Sequence, residues 1–98
     1  MRLNSRRTSK ETIEQGLGTL GKIKILKSLA ENGRMLTIYV LHNKTRLKRE
    51  DIKRNLNDLM EIGWVKETRM ANKMYALDLQ NEYVIQIVSF FRNVGYID

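Results

Sequence analysis

The chain has 98 residues, with 18 Lys and Arg against 11 Asp and Glu, a formal net charge of +7, one His and no Cys. That length makes one domain with a single modest core and leaves no room for a substrate cleft between lobes. The missing cysteines exclude a disulfide framework, a thiolate nucleophile and a zinc–cysteine site, while the positive charge attracts polyanions whatever their sequence. No apolar run approaches the roughly 18 residues of a membrane span, and the basic N-terminus is not followed by an apolar stretch. A cytoplasmic protein with no membrane partner is expected.

In chain order, residues 1–12 hold four bases, one acid and few apolar side chains. They read as a mobile basic arm, either a solvated tail or an arm that touches phosphates or the minor groove. Residues 13–80 read as the folded domain. From Ile13 to Asn32 the apolar positions Leu17, Leu20, Ile23, Leu26 and Leu29, with Ile25 to one side, predict a helix stopped by Asn32-Gly33. Gly16, Gly18 and Gly21 weaken its opening turn, so its start can fall as late as Thr19, with Gly21 allowing close packing. The spacing of these three glycines matches a nucleotide-binding loop, but no apolar strand precedes it and no βαβ unit surrounds it.

Arg34 to Leu36 form a short apolar link, readable as one small strand. Thr37 is an N-cap candidate for a helix of about two turns carrying Ile38, Tyr39 and Leu41 and running to Lys44. After a short break, Lys48 to Ile62 form a longer helix with Glu50 and Asp51 in its first turn and Gly63 past its end. Ile52, Leu56, Leu59 and Met60 fall on one face and Lys53, Arg54 and Asn57 on the other, while Arg46, Lys48 and Arg49 extend the basic face upstream. This is the plan of a helix-turn-helix. Beyond Gly63 the period changes to two: Trp64 to Met70 and Lys73 to Leu79 read as strands, with Tyr75, Leu77 and Leu79 pointing inward. A two-residue turn at Ala71-Asn72, with Asn72 at positive φ, would join them and place Arg69 and Lys73 near the tip.

The segments LGKIKILKSLAENG, LTIYVLHNKTRLKREDIKRNLNDLMEIGWV and KMYALDL together resemble the winged helix-turn-helix regulators of archaea and bacteria, in the broad group that includes the ArsR-like and MarR-like repressors. The resemblance covers about residues 17–79, and the most specific part is the ending Leu56, Leu59, Gly63, Trp64, Val65. His42 stands where such helix pairs usually have a small residue, and Arg46 where the turn commonly has Gly. The resemblance implies an α+β, mostly α fold, a winged helix-turn-helix with a two-stranded β-hairpin wing and a C-terminal dimerisation helix.

That last helix is expected from Glu82 to Ile97, within residues 81–98. Val84, Ile87, Val88, Phe91 and Val94 make one apolar face, while Tyr83, Ile85 and Phe90 spread apolar surface further round and are assigned to a two-fold interface with a second copy. His42 alone makes no metal site. Trp64 and Tyr75 are assigned to the core rather than to base stacking. Glu50, Asp51, Asp58 and Glu61 are assigned to ordinary helix-surface pairing, chiefly with Arg54, and no nucleophile and base come together. The chain therefore reads as a non-enzymatic, cofactor-free homodimer that binds double-stranded DNA. Lys48, Arg49, Lys53, Arg54 and Asn57 are the candidates for base edges, Lys44 and Arg46 for phosphates, and Arg69 and Lys73 on the wing for phosphates or the minor groove. Two-fold pairing would set half-sites one helical turn, roughly 34 Å, or a multiple apart. A protein–protein module of a larger assembly and an RNA-binding protein are the rival readings.

Overall fold

The computed structural model describes residues 8–98. Seven elements follow one another: α1 (Ser9–Leu17), α2 (Leu20–Asn32), α3 (Ile38–Thr45), α4 (Arg49–Glu61), β1 (Val65–Arg69), β2 (Lys73–Leu77) and α5 (Glu82–Asn93). The expected single helix over 13–32 is two helices. Thr19 adopts an extended conformation (φ −138°, ψ 153°) and its hydroxyl accepts a hydrogen bond from the backbone N–H of Lys22, so a new helix starts there. Helix α1 begins earlier than expected because Thr8 and Glu11 form a reciprocal capping box. Residues 9–12 of the expected arm are thus helical, and its first seven residues lie outside the described ones.

Helix α2 ends as its sequence predicts: Gly33 takes φ 63° and its N–H bonds the carbonyl of Leu29 at 3.2 Å. Its buried face differs from the three-residue series. Ile25 is fully buried together with Leu26 and Leu29, whereas Leu20 is 64% exposed. The next link is a strand of one residue, with Leu36 and Tyr75 exchanging both backbone hydrogen bonds at 2.8 Å. Thr37 then caps α3 through the N–H of Val40.

The hairpin pairs Val65 with Leu77 and closes with Arg69 opposite Lys73. Its connection is therefore Met70-Ala71-Asn72, three residues rather than two. Asn72 does not take positive φ, and Arg46 is the one non-glycine residue that does among the described residues. A bond from the N–H of Met70 to the carbonyl of Asn72, at 3.0 Å, holds the tip without a left-handed residue at Asn72. Leu79 is 60% exposed, not inward, because β2 ends at Leu77 and the N–H of Asn81 bonds the carbonyl of Asp78 in a new turn.

Trp64, at the root of the hairpin, is fully buried and lies in a slot made by Gly16: a Cβ built on that glycine would sit 2.1 Å from the indole ring. Its other neighbour is Tyr83, whose ring is stacked at 5.9 Å between centroids. The indole N–H has no hydrogen-bond partner among the described residues, so shape and dispersion hold this side chain in place. Gly21 makes the second close approach, where a Cβ would meet the side-chain amide of Asn55 on α4 at 2.7 Å. The glycine cluster that imitates a phosphate loop is thus a packing device for α1 and α2.

Helix α5 is capped by Asn81, whose side-chain oxygen accepts from the N–H groups of Tyr83 and Val84 while its amide donates to the carbonyl of Gly63. One residue fixes both the start of α5 and its position on the end of α4. The helix stops at Asn93, short of the expected Ile97. Gly95 at φ 79° turns the chain back, the N–H of Tyr96 bonds the carbonyl of Phe91, and Ile97 enters the core. Three packed helices, the turn between α3 and α4, the hairpin and a closing helix constitute the winged helix arrangement.

Candidate nucleic-acid interface

The site is built on the turn between α3 and α4. Arg46 occupies the left-handed region at φ 66°, and its N–H reaches the carbonyl of His42 at 2.9 Å. An L side chain there costs roughly 1 kcal/mol, which is why glycine suits the position better. Local bonds outweigh that cost. The buried hydroxyl of Thr45 donates to the carbonyl of Leu41 at 2.7 Å and accepts from the N–H of Leu47 at 3.2 Å. Nδ1 of His42 lies 2.7 Å from the carbonyl of Leu47, a bond in which the ring nitrogen donates. The sequence offered no sign of these roles for His42 and Thr45, because both depend on the turn already being folded.

The turn leads directly into α4, whose one face is buried through Ile52, Leu56 and Leu59. At about 100° per residue, Arg49, Lys53 and Asn57 stand on a single outer ridge at i, i+4 and i+8, and Arg54 stands about 60° further round. All four are exposed, as is Lys48 at the N-cap. Arg54 is ion-paired with Asp51 one turn earlier, and Asp58 pairs across the core with the buried Lys22 of α2 at 3.0 Å. The expected pairing of Arg54 with Glu50 and Asp58 is therefore replaced, since α2 presents a lysine that has no solvent and takes Asp58 for itself.

Tyr39 is a surface residue, 61% exposed, and not part of the apolar side of α3 as its sequence context suggested. The guanidinium of Arg49 lies 5.8 Å from the centre of its ring. Tyr39 also lines a cleft with Thr37, Ile38, Asn72 and Lys73, so the wing tip sits beside the start of α3. The wing's Arg69 and Lys73 are exposed, as are Lys44 and Arg46 at the other end of α3. The nine predicted contact residues thus lie on the turn, on the outer side of α4 and on the wing, with Tyr39 connecting the last two.

The remaining candidates fall elsewhere. Tyr75 is buried and its hydroxyl donates to a carboxylate oxygen of Glu67 at 3.1 Å; burial, and then this bond, raise its pKa above the ordinary tyrosine value. Neither it nor Trp64 offers a face for stacking on bases. Tyr83 is half-buried against Trp64 with its hydroxyl bonded to Ser9 at 2.9 Å, so it is separated from the two other residues assigned to an interface. Ile85 and Phe90 are half or more exposed. They stand about 140° apart around α5, on opposite flanks of the buried Val84 and Phe91. Phe90 and Val94 border a continuous apolar groove of about 450 Å³ with Leu17, Ile23, Ile87 and Tyr96. Among the described residues no three His, Asp or Glu side chains meet in a way that could hold a metal ion, and no helix is long and apolar enough to cross a membrane.

No sequence-family profile and no curated protein matches the chain. Solved structures do. HlyU from Vibrio cholerae superposes with a TM-score of 0.73 at 17% identity, over 85% of this chain and 87% of that one. NolR from Sinorhizobium fredii gives 0.69 at 18%, over 100% and 99%. The homodimeric winged helix-turn-helix DNA-binding domain Mb0332 of Mycobacterium bovis, described as a possible ArsR-family transcriptional regulator, gives 0.68 at 16%, over 94% and 90%. At these identities the likeness establishes the winged helix fold.

Proposed function

We propose that the protein is a transcription regulator that binds duplex DNA sequence-specifically as a homodimer, with α4 in the major groove and the hairpin on the backbone or in the minor groove. The observation that carries this reading is the outer side of α4: Arg49, Lys53, Arg54 and Asn57 all project from a helix whose opposite face is locked in the core. A rigid helix with a polar outer face that carries cations and an amide fits a groove about 12 Å wide, and Arg and Asn are the side chains that hold guanine and adenine through paired hydrogen bonds. The fold supports the reading, as does the description of one structural neighbour as a homodimeric DNA-binding domain. Nothing in this reading requires catalysis or a cofactor.

Dimerisation is proposed through α5, with Phe90 and Val94 at its centre and Ile85 at its edge. Exposed apolar surface beside a neutral groove suits a second copy of a chain that otherwise carries +7. The test is a selection of bound duplexes from random DNA at stated salt, followed by competition with duplex and single-stranded RNA. Paired half-sites roughly 34 Å apart or a multiple would support the reading. Preference for RNA would replace it, and binding to neither would favour a protein–protein module.

A further inference from the structure

Two lysines outside the helix-turn-helix contribute to a second basic surface. Lys24 and Lys27, at i and i+3 on α2, line a cleft of about 440 Å³ with Lys44 and Arg46, and Glu31 is the one acid in its lining. Among the described residues none of these four cations has a carboxylate within ion-pair distance. Lys27 instead holds its ammonium 4.7 Å from the centre of the Tyr96 ring, a contact that orients the charge without cancelling it. The hydroxyl of Thr45, also in the lining, is used by the turn. Four cations in one concave patch repel one another and raise the local positive potential, an arrangement that an anion relieves.

Position identifies the anion. The wing tip touches the start of α3, and this cleft lies at its end, about 12 Å away along eight residues. Lys44 and Arg46 also lead straight into the N-terminal turn of α4, so the cleft opens beside the end of the helix proposed to enter the groove. The geometry points to a second phosphate-binding surface: Lys24 and Lys27 join Lys44 and Arg46 to hold the DNA backbone beyond the base pairs read by α4, on the side opposite the wing. This inference rests on the DNA-binding reading. The wing and the cleft grip the two backbones that border the groove, and α2 contributes to affinity without reading bases.

The test uses the full chain carrying Lys24→Gln and Lys27→Gln, which keep much of each stem, and a control with Lys24→Arg and Lys27→Arg. On duplexes recovered by selection, the Gln variant should bind on the order of tenfold more weakly near 0.1 M salt, with a salt slope shallower by about 1.8, as two lost phosphate contacts require. Base preference should be unchanged and the Arg control should bind as the wild type does. Phosphate ethylation on the wild-type complex should interfere outside the half-site, at positions that become insensitive in the Gln variant. If the wild type binds duplex DNA but the Gln variant keeps its affinity and slope, the inference falls and the DNA-binding reading stands. If the wild type binds no duplex, both fall. Should the Gln variant fail to fold, absence of interfering phosphates outside the half-site of the wild type overturns the inference. Inorganic phosphate that raises the wild-type melting temperature but not that of the Gln variant, with duplex affinity equal in both, would make the cleft a free-anion site and also overturn it.

Discussion

Helices α4 and α5 are nearly equal in length and each buries one narrow apolar stripe, yet they face outward with opposite chemistry. Beyond its stripe α4 shows charged and amide side chains, Arg49, Lys53, Arg54 and Asn57 beside Glu50 and Glu61, whereas α5 shows Phe90, Val94 and Ile85 among the polar Glu82, Gln86, Ser89 and Arg92. A charged outer face is stable in water and needs no partner to fold, so the cations left without an ion pair among the described residues, Arg49 and Lys53, speak to what it meets. An apolar outer face leaves surface that water disfavours, so it speaks to being covered. On the proposed function, the two helices divide recognition from assembly.

The largest effect that sharpens this contrast is expected at Phe90. Phe90→Asp should weaken self-association at least 100-fold, since a two-fold interface loses two buried rings, each worth about 1.5–3 kcal/mol, and gains two charges. Sedimentation velocity reads it, and the variant should still unfold cooperatively as a monomer because Phe90 is outside the core, losing only the concentration-dependent stability that dimerisation adds. Ile85→Asp, on the other flank of α5, should do less. Wild-type monomer at tens of micromolar, a working range for weak complexes, would break the contrast outright.

Next in size is Gly16→Ala. The added methyl overlaps the ring of Trp64, which is enclosed on all sides, and should lower stability by about 1–3 kcal/mol in urea denaturation. Equal stability would mean that α1 moves freely on the domain. Asp58→Ala should cost about 1–2 kcal/mol by stranding the ammonium of Lys22, a figure reduced for the 43% exposure of the carboxylate. Gly16→Ala leaves α4 unchanged, so its DNA affinity measured well below the melting temperature should hold, whereas Asp58→Ala removes an acid from α4 and should if anything raise affinity for all duplexes.

The smallest effect is expected at Arg46, where two consequences oppose each other. Arg46→Gly should stabilise the fold by about 0.5–1 kcal/mol by removing the left-handed cost of a side chain. It should at the same time weaken all duplexes alike, by one phosphate contact. A variant that is less stable than the wild type would show that the arginine side chain holds the turn.

The elements whose evidence is periodic were legible in the sequence. The stripe of Ile52, Leu56 and Leu59, the caps at Thr37 and Gly33, and the paired strands followed from spacing alone, since a buried face imposes its period on the residues. What escaped has no period. Helix α1 starts at a reciprocal cap between Thr8 and Glu11, Ile97 is buried because Gly95 reverses the chain, and Tyr83 packs on a tryptophan nineteen residues earlier. The outward placing of Lys53, Arg54 and Asn57 on α4 was equally legible, because they stand opposite the apolar stripe of a predictable helix. The partners were not: Lys22 and Asp58 are separated by 36 positions, and only the packing of α2 on α4 brings them together. Tyr39, Lys24 and Lys27 belong to other helices and joined the candidate surface only once the turn and the wing were placed.

The central claim is that the outer side of α4 reads base pairs. Its most direct measurement is binding by Arg54→Ala and Asn57→Ala to a panel of duplexes derived from the selected site, each altered at one base pair and all at one salt concentration. The account predicts that each variant loses discrimination at its own position by roughly 1–3 kcal/mol while Arg46→Ala keeps the wild-type preference at lower affinity. Variants of α4 that retain both the affinity and the base preference of the wild type would contradict it.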